Sequence, residues 1–446
     1  MTRRRDFLAR SAALLASLGA ARPARAIGEP GQQDFDLAAW LERELPAMGP
    51  RAAPERLAAD ERFWAQVRRG YAVDPDVVNL DHGWTNPAPR AAVDEVARAA
   101  RALEALPAEQ LPGMRGRVTT TLVRRELAAA MGVPPEEVAL VRNATEALDT
   151  VILGLPLERG DEIVCSTHDY YAMLDALEQR RARDGVVLRL LTPPAPAPSM
   201  DALAAMYEGA LGPRTRLVLL THPSNRTGQL LPARRIADAA HRAGAEVVVD
   251  GAQSLGLLES PVASLGCDYY GASAHKWLGA PVGLGVLWMR PEHAAKVWPL
   301  VAPSPGARGT ARFEAVGTSP EYVYAGALPA LAIHRALGPE RKAARLRHLT
   351  RHWRTLLARA VPGARFYTSD DPSMAFGLCT VALPGADARA LQQRLREEHR
   401  VVVQAVSGGT AGSPRATGVA GLRVTPNVYT SLEELDRFVD AVGRGS

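Results

Sequence analysis

The sequence predicts an α/β protein with a large, mostly parallel-sheet domain and a smaller C-terminal α/β domain. Three observations predict it. From about residue 118 to 290, helical stretches alternate with the short apolar runs "EVALV", "DEIVCS", "VVLRLL", "RLVLLTH", "EVVVDG", "CDYYGAS" and "GLGVLWM". These runs lack period-two alternation, which is the pattern of strands covered on both faces. After about residue 336 the pattern changes to one long arginine-rich helix followed by shorter strands, which marks a second lobe. With 446 residues and 47% hydrophobic content, the chain has enough apolar material to build both.

In chain order, residues 1–26, "MTRRRDFLARSAALLASLGAARPARA", combine a basic start, a short apolar stretch and an A-x-A ending at Ala24 and Ala26. This is the pattern of a secretory signal, and Arg4 and Arg5 before Asp6, Phe7 and Leu8 narrow it to the twin-arginine type. The expectation is export by the twin-arginine machinery to the periplasm or beyond, without a stable membrane anchor. An amphipathic N-terminal helix is the alternative. The formal charge of +5 lies wholly here, because these residues carry six arginines against one aspartate. The remainder is close to neutral and holds no basic tract, so nucleic acid is not an expected partner. Residues 27–117 read as an N-terminal segment with helical patches and a short strand in "VVNLDHGWTNPAP", residues 118–335 as the large domain, and 336–446 as the small one.

Cys165, Cys267 and Cys379 are scattered without metal or disulfide spacing and sit in apolar runs, which points to buried structural thiols. No HExxH, CxxC or GxSxG pattern occurs, so the usual signatures of metal and serine-hydrolase chemistry are missing. Lysine is rare: of 53 basic residues only Lys276, Lys296 and Lys342 are lysines. Lys296 and Lys342 lie in charge-rich helical patterns and are expected on solvated faces. Lys276, in "SAHKWLGAPVG", stands between a histidine and a tryptophan. An ammonium can lose its proton and become a nucleophile, whereas a guanidinium cannot.

In open α/β sheets, ligands bind beyond the carboxyl ends of the strands. After "EVALV", Asn143, Ala144 and Thr145 open a helix whose free N–H groups could hold an anion, the plain alternative being a helix cap. Asp250 closes the very apolar "EVVVD" and needs a cationic or strongly hydrogen-bonded partner. No second carboxylate or histidine accompanies it at metal-ligand spacing. An anion site, a buried carboxylate and a lysine at neighbouring strand ends are the parts that hold pyridoxal phosphate.

The stretches "VVVDGAQSLG" and "GASAHKWLGAPVGLGVL" resemble those of the class V aminotransferase family, whose members are pyridoxal-phosphate enzymes of fold type I. Further similarity runs along most of residues 76–442, with "RNATEALDTVI", "HDYYAM" and "FEAVGT" most like the isopenicillin N epimerase group. The resemblance implies that Lys276 is the Schiff-base amine, Asp250 the partner of the pyridine nitrogen, and Asn225 and Gln253 contacts of the ring oxygen. It further implies that Ala144, Thr145, Ser273 and His275 surround the phosphate, and that Thr318 reaches the phosphate of a second subunit in a homodimer. His168 maps to the family's ring-stacking histidine, with Tyr170 as the alternative, and Arg423 to the arginine that grips the carboxylate of an amino-acid substrate. Epimerisation, transamination and C–S lysis share their first steps, and a non-catalytic ligand-binding member is a further alternative. Residues 404–423 contain no cysteine, which disfavours desulfurase chemistry through a persulfide.

Overall fold

The computed structural model describes residues 35–258, 262–410, 412–413 and 415–443; the export signal expected in residues 1–26 lies outside them. Asp36–Ser446 form one compact unit. The described residues form thirteen strands in three sheets. They are β1 (Val78–Asn79), β2 (Val138–Val141), β3 (Glu162–Ser166), β4 (Val187–Leu191), β5 (Thr215–Thr221), β6 (Glu246–Asp250), β7 (Tyr269–Ser273), β8 (Gly285–Met289), β9 (Arg365–Phe366), β10 (Cys379–Ala382), β11 (Val401–Val402), β12 (Gln404–Val406) and β13 (Gly421–Val424). The large sheet has seven strands in the order β2-β8-β7-β6-β5-β3-β4. Every pairing in it is parallel except the two made by β8.

Both faces of that sheet are buried except along the edge strand β4, which accounts for the unbroken apolar runs. Val138, Leu140, Val218, Leu220, Val247 and Val249 belong to one core cluster, while the residues between them, Ala139, Val141, Leu217, Leu219 and Val248, belong to the other. The strands alternate faces, but both faces are apolar.

Helix α1 (Leu37–Met48) is capped by Asp36, whose side chain accepts from Ala39 N at 3.0 Å, and buries Leu37, Leu41, Leu45 and Met48 along one stripe. Helix α2 (Ala144–Gly154) follows β2. It packs on β7 and β8, and Gly285 permits the approach: a Cβ there would lie 2.6 Å from Asn143 Cα. In the C-terminal lobe, α3 (Ala327–Leu337) and the long α4 (Pro339–Ala360) pack against each other. That lobe carries the second sheet, antiparallel in the order β12-β13-β10-β9.

The N-terminal segment, described from residue 35, is woven into the rest. Helix α1 packs on α3, and β1 pairs in parallel with β11 to form the third sheet. Beyond β1, Asp81 bridges to Thr425, just after β13. Among the described residues, no helix is long and apolar enough to cross a membrane.

Candidate active site

β8 decides where the site lies. Antiparallel neighbours need no crossover helix, so β7 returns into β8 through one loop, residues 274–284, at the carboxyl end of β7. This loop carries His275 and Lys276. It is closed by hydrogen bonds from Ala274 N to Leu284 O (2.9 Å) and from Ala280 N to Ala274 O (3.0 Å). β2 is parallel to β7 through their common neighbour β8, so the start of α2 opens at the same edge.

A cavity of about 150 Å³ lies at this edge, and Ala144, Thr145, Asn225, Asp250, Gln253, Ser273, His275 and Lys276 all line it. A larger groove of about 470 Å³ between Arg351 and Phe376 contains none of the expected residues.

The electrostatics of the cavity follow from burial. Asp250 accepts a hydrogen bond from Ala252 N at 3.0 Å. Desolvation pushes its pKa up, against the pull of that N–H and of the Lys276 charge. Burial pushes the Lys276 amine down to about 8, with Asp250 opposing and Arg423 adding to the shift. Among the described residues, no hydrogen bond reaches Lys276 Nζ. His275 is pushed down to about 4 by burial, and its Nδ1 is buried without a partner, as is Asn225 Oδ1. At the start of α2, Ser273 Oγ accepts from Ala144 N (2.9 Å) and Asn143 Oδ1 from Glu146 N (2.9 Å), while the Thr145 N–H has no partner among the described residues.

These unanswered groups fit pyridoxal phosphate: an anion site at Thr145, Ser273 and His275, a carboxylate for a cationic ring nitrogen at Asp250, a polar contact at Asn225, and a free amine at Lys276.

Some of the expected placements change. His168 does not line the cavity. Asp169 locks the turn after β3 by accepting from Ser166 N (2.7 Å) and Thr221 Oγ1 (2.7 Å). The His168 ring is thereby buried with Nε2 3.0 Å from Thr417 O, and Tyr170 lines the cavity instead. Gln253 lines the cavity, but its amide is already used: Nε2 donates to Gly83 O (2.8 Å) and Oε1 accepts from the indole of Trp277 (2.8 Å). Thr318 is exposed and outside the cavity of its own chain.

Lys342 is not on a solvated face. It is buried, and Nζ donates to Gly256 O (2.5 Å) and Trp277 O (2.6 Å), with His334 Nδ1 at 3.5 Å. Burial alone pushes it down to about 7. Lys296 is half-buried and pairs with Glu246.

Arg423 does not line the cavity but stands against it. Nη1 donates to Asn225 O (3.1 Å), Nη2 to Asp81 Oδ1 (2.7 Å), and Nε is buried without a partner. Asp81 has its pKa raised by burial and held back by Arg423.

Sequence reasoning missed Asp81, Asn86 and Lys342. Asn86 donates from its N–H to His275 O (3.1 Å) and from Nδ2 to Lys276 O (2.5 Å), and accepts from Asn427 Nδ2 (2.8 Å). For Asn86 and Asp81 the only signal was their place in the loop after "VVNL"; for Lys342 it was the scarcity of lysine.

Fold and site together define a pyridoxal-phosphate-dependent enzyme of fold type I. The family model described as Aminotransferase class-V matches residues 78–438, and the chain belongs to that family. It is 33% identical to isopenicillin N epimerase of Streptomyces clavuligerus over 85% of this chain and 97% of that one. It is 31% identical to the isopenicillin N epimerase of Amycolatopsis lactamdurans over 85% and 98%. A cysteine desulfurase of Synechococcus elongatus is 30% identical over 85% of this chain and 63% of its own. Among solved structures, a complex between the cystine C-S lyase C-DES and its reaction product cysteine persulfide is similar with TM-score 0.71 and 25% identity, covering 83% of this chain and 98% of that one. Pyridoxal 5'-phosphate is the cofactor.

Two predictions follow from the geometry. Lys342→Met keeps the stem but leaves two buried carbonyls unanswered, so urea denaturation should show a loss of about 2 kcal/mol. The Lys276 amine is nucleophilic only when neutral, and its neutral fraction grows as pH rises through about 8. Cofactor capture by the apoprotein should therefore speed up about tenfold per pH unit below that value and level off above it, as read by stopped-flow absorbance. An inflection near the ordinary lysine value would contradict the burial argument.

Proposed function

We propose that this enzyme removes and returns the α-proton of an amino acid, as an epimerase of the isopenicillin N epimerase type. The observation that carries the reading is Lys276: a half-buried amine without a hydrogen-bond partner among the described residues, pushed down to about 8 by desolvation, in a chain alignable with two such epimerases over nearly their whole length. When bound, pyridoxal phosphate supplies an electron-accepting ring that takes up the charge left at the substrate's Cα. Asp250 is the group to hold the ring nitrogen protonated. Thr145, Ser273 and His275 hold the phosphate, and Asn225 steadies the ring. Lys276 Nζ, near neutrality, takes a proton and gives it back in the same pH range. Arg423 binds the substrate carboxylate, with Asp81 and Asn225 O holding the guanidinium in orientation.

C–S lysis is the second reading, favoured by the likeness to the cystine lyase. Persulfide-type desulfurase chemistry has less support. Cys165, Cys267 and Cys379 are all buried, and burial raises each thiol, Cys267 to about 12 and Cys379 to about 11. A ligand-binding role without turnover has no support from the relatives, which are enzymes by description.

Incubation with L-amino acids in D2O separates the readings by mass spectrometry and chiral chromatography. α-Deuteration with racemisation and without keto acid is expected. Pyruvate and sulfur release from cystine would favour the lyase, and no exchange with any amino acid would sink the epimerase reading. Lys276→Ala should abolish both exchange and the visible absorption of the bound cofactor.

Two further proposals rest on the sequence. A homodimer would let the exposed Thr318 reach a neighbouring subunit's phosphate site, and the twin-arginine pattern at Arg4 and Arg5 would direct the protein out of the cytoplasm. The mass of the holoenzyme in solution checks the first. For the second, replacing Arg4 and Arg5 by lysine should retain the enzyme in the cytoplasmic fraction, and undiminished export would overturn it.

A further inference from the structure

Arg226 follows Asn225 directly, in "HPSNRTGQ", and has no task in the scheme above. Its main chain is pinned: Thr380 Oγ1 donates to Arg226 O (2.5 Å), and Thr380 stands opposite Arg423 in the β10–β13 register. Arg423 in turn donates to Asn225 O (3.1 Å), so the two arginines meet at one peptide. The guanidinium of Arg226 is poorly answered. Nη1 makes one long contact with Ser407 O at 3.5 Å, and Nε is buried without a partner. Among the described residues, no carboxylate lies within ion-pair distance of it.

The groups around Arg226 do not neutralise it. Arg423 repels it, His168 is kept neutral by burial, and Asp169 lends only a distant attraction while its carboxylate is engaged with Ser166 and Thr221. Asp81 answers Arg423 alone. Of the two guanidiniums, only that of Arg423 is ion-paired among the described residues. Holding a second, half-buried cation beside a first costs desolvation and repulsion. A protein tolerates that where an anionic ligand relieves it, as an oriented guanidinium does for a carboxylate.

The α-carboxylate placed on Arg423 leaves the neighbouring charge unmet. We propose that Arg226 recognises a second anionic group on the substrate, so that the enzyme selects amino acids whose side chain carries a carboxylate or comparable anion. The inference rests on the reading that an amino acid reacts at Lys276, and it adds the substrate class.

The test compares acid and amide isosteres, L-glutamate with L-glutamine and L-aspartate with L-asparagine, on the holoenzyme. kcat/KM for α-deuterium exchange is measured with the wild type, Arg226→Gln and Arg226→Lys. At least one acid should exceed its amide in the wild type, and Arg226→Gln should lower that acid-to-amide ratio about 30-fold or more. Arg226→Lys, which keeps the charge, should retain part of the preference and controls for folding.

Equal rates on acids and amides in the wild type would overturn the proposal. So would a parallel loss on both in Arg226→Gln, because Arg226 would then serve the α-carboxylate or the fold. If no amino acid exchanges, the epimerase reading fails by itself. The same acid-to-amide comparison, made by binding through the shift of the cofactor's visible absorption, still decides the role of Arg226: tighter acids support it, and equal affinities overturn it.

Discussion

A carboxylate at the end of a buried strand is the constraint around which this protein is arranged. Asp250 closes β6, whose preceding residues Val247, Val248 and Val249 are fully buried, and the protein gives that carboxylate one backbone hydrogen bond. Such a group is tolerable only next to positive charge or strong donors. Lys276 supplies part of the compensation, and the attraction works in return against the burial that lowers its own pKa. Burial thus holds the acid above its usual pKa and the amine below, down to about 8, while the attraction between the two opposes both shifts.

Keeping the amine in place falls to groups far apart in sequence. Asn86, from the loop after β1, holds the carbonyls of His275 and Lys276, while Lys342, from α4, holds those of Trp277 and Gly256. The first ties the N-terminal segment to the Lys276 loop. The second ties the C-terminal lobe both to that loop and to the turn after Asp250. Arg423 arrives from the second sheet and is oriented by Asp81 from the first segment. The site is where three stretches of chain meet, and this explains why residues 35–117 are not a detachable appendage.

Much of this was legible in sequence. Each apolar run of the large domain became a strand, because a parallel sheet buried on both faces writes itself as continuous hydrophobicity. Asp250, Lys276 and Thr145 were singled out by the rule that chemistry sits just past strand ends, and Ser273 by the family resemblance. His168 was misjudged because a position in a turn does not reveal which way the ring points: Asp169, the next residue, locks the turn and sends His168 toward Thr417 while Tyr170 faces the cavity. Lys342 was misjudged because a helix in which arginines surround every apolar position hides which polar residue faces inward.

By itself, then, the sequence determined the sheet and the strand ends at which a lysine and a carboxylate come together, since these depend on local periodicity and on residues next to strand ends. Only the tertiary structure decided which side chains answer one another across the lobes: Asp81 with Arg423, Lys342 with Trp277, and Arg226 with no carboxylate among the described residues. The reason is physical. Burial and hydrogen bonding depend on groups separated by more than 60 residues in Lys342–Trp277 and by more than 340 in Asp81–Arg423, and no local pattern records those distances.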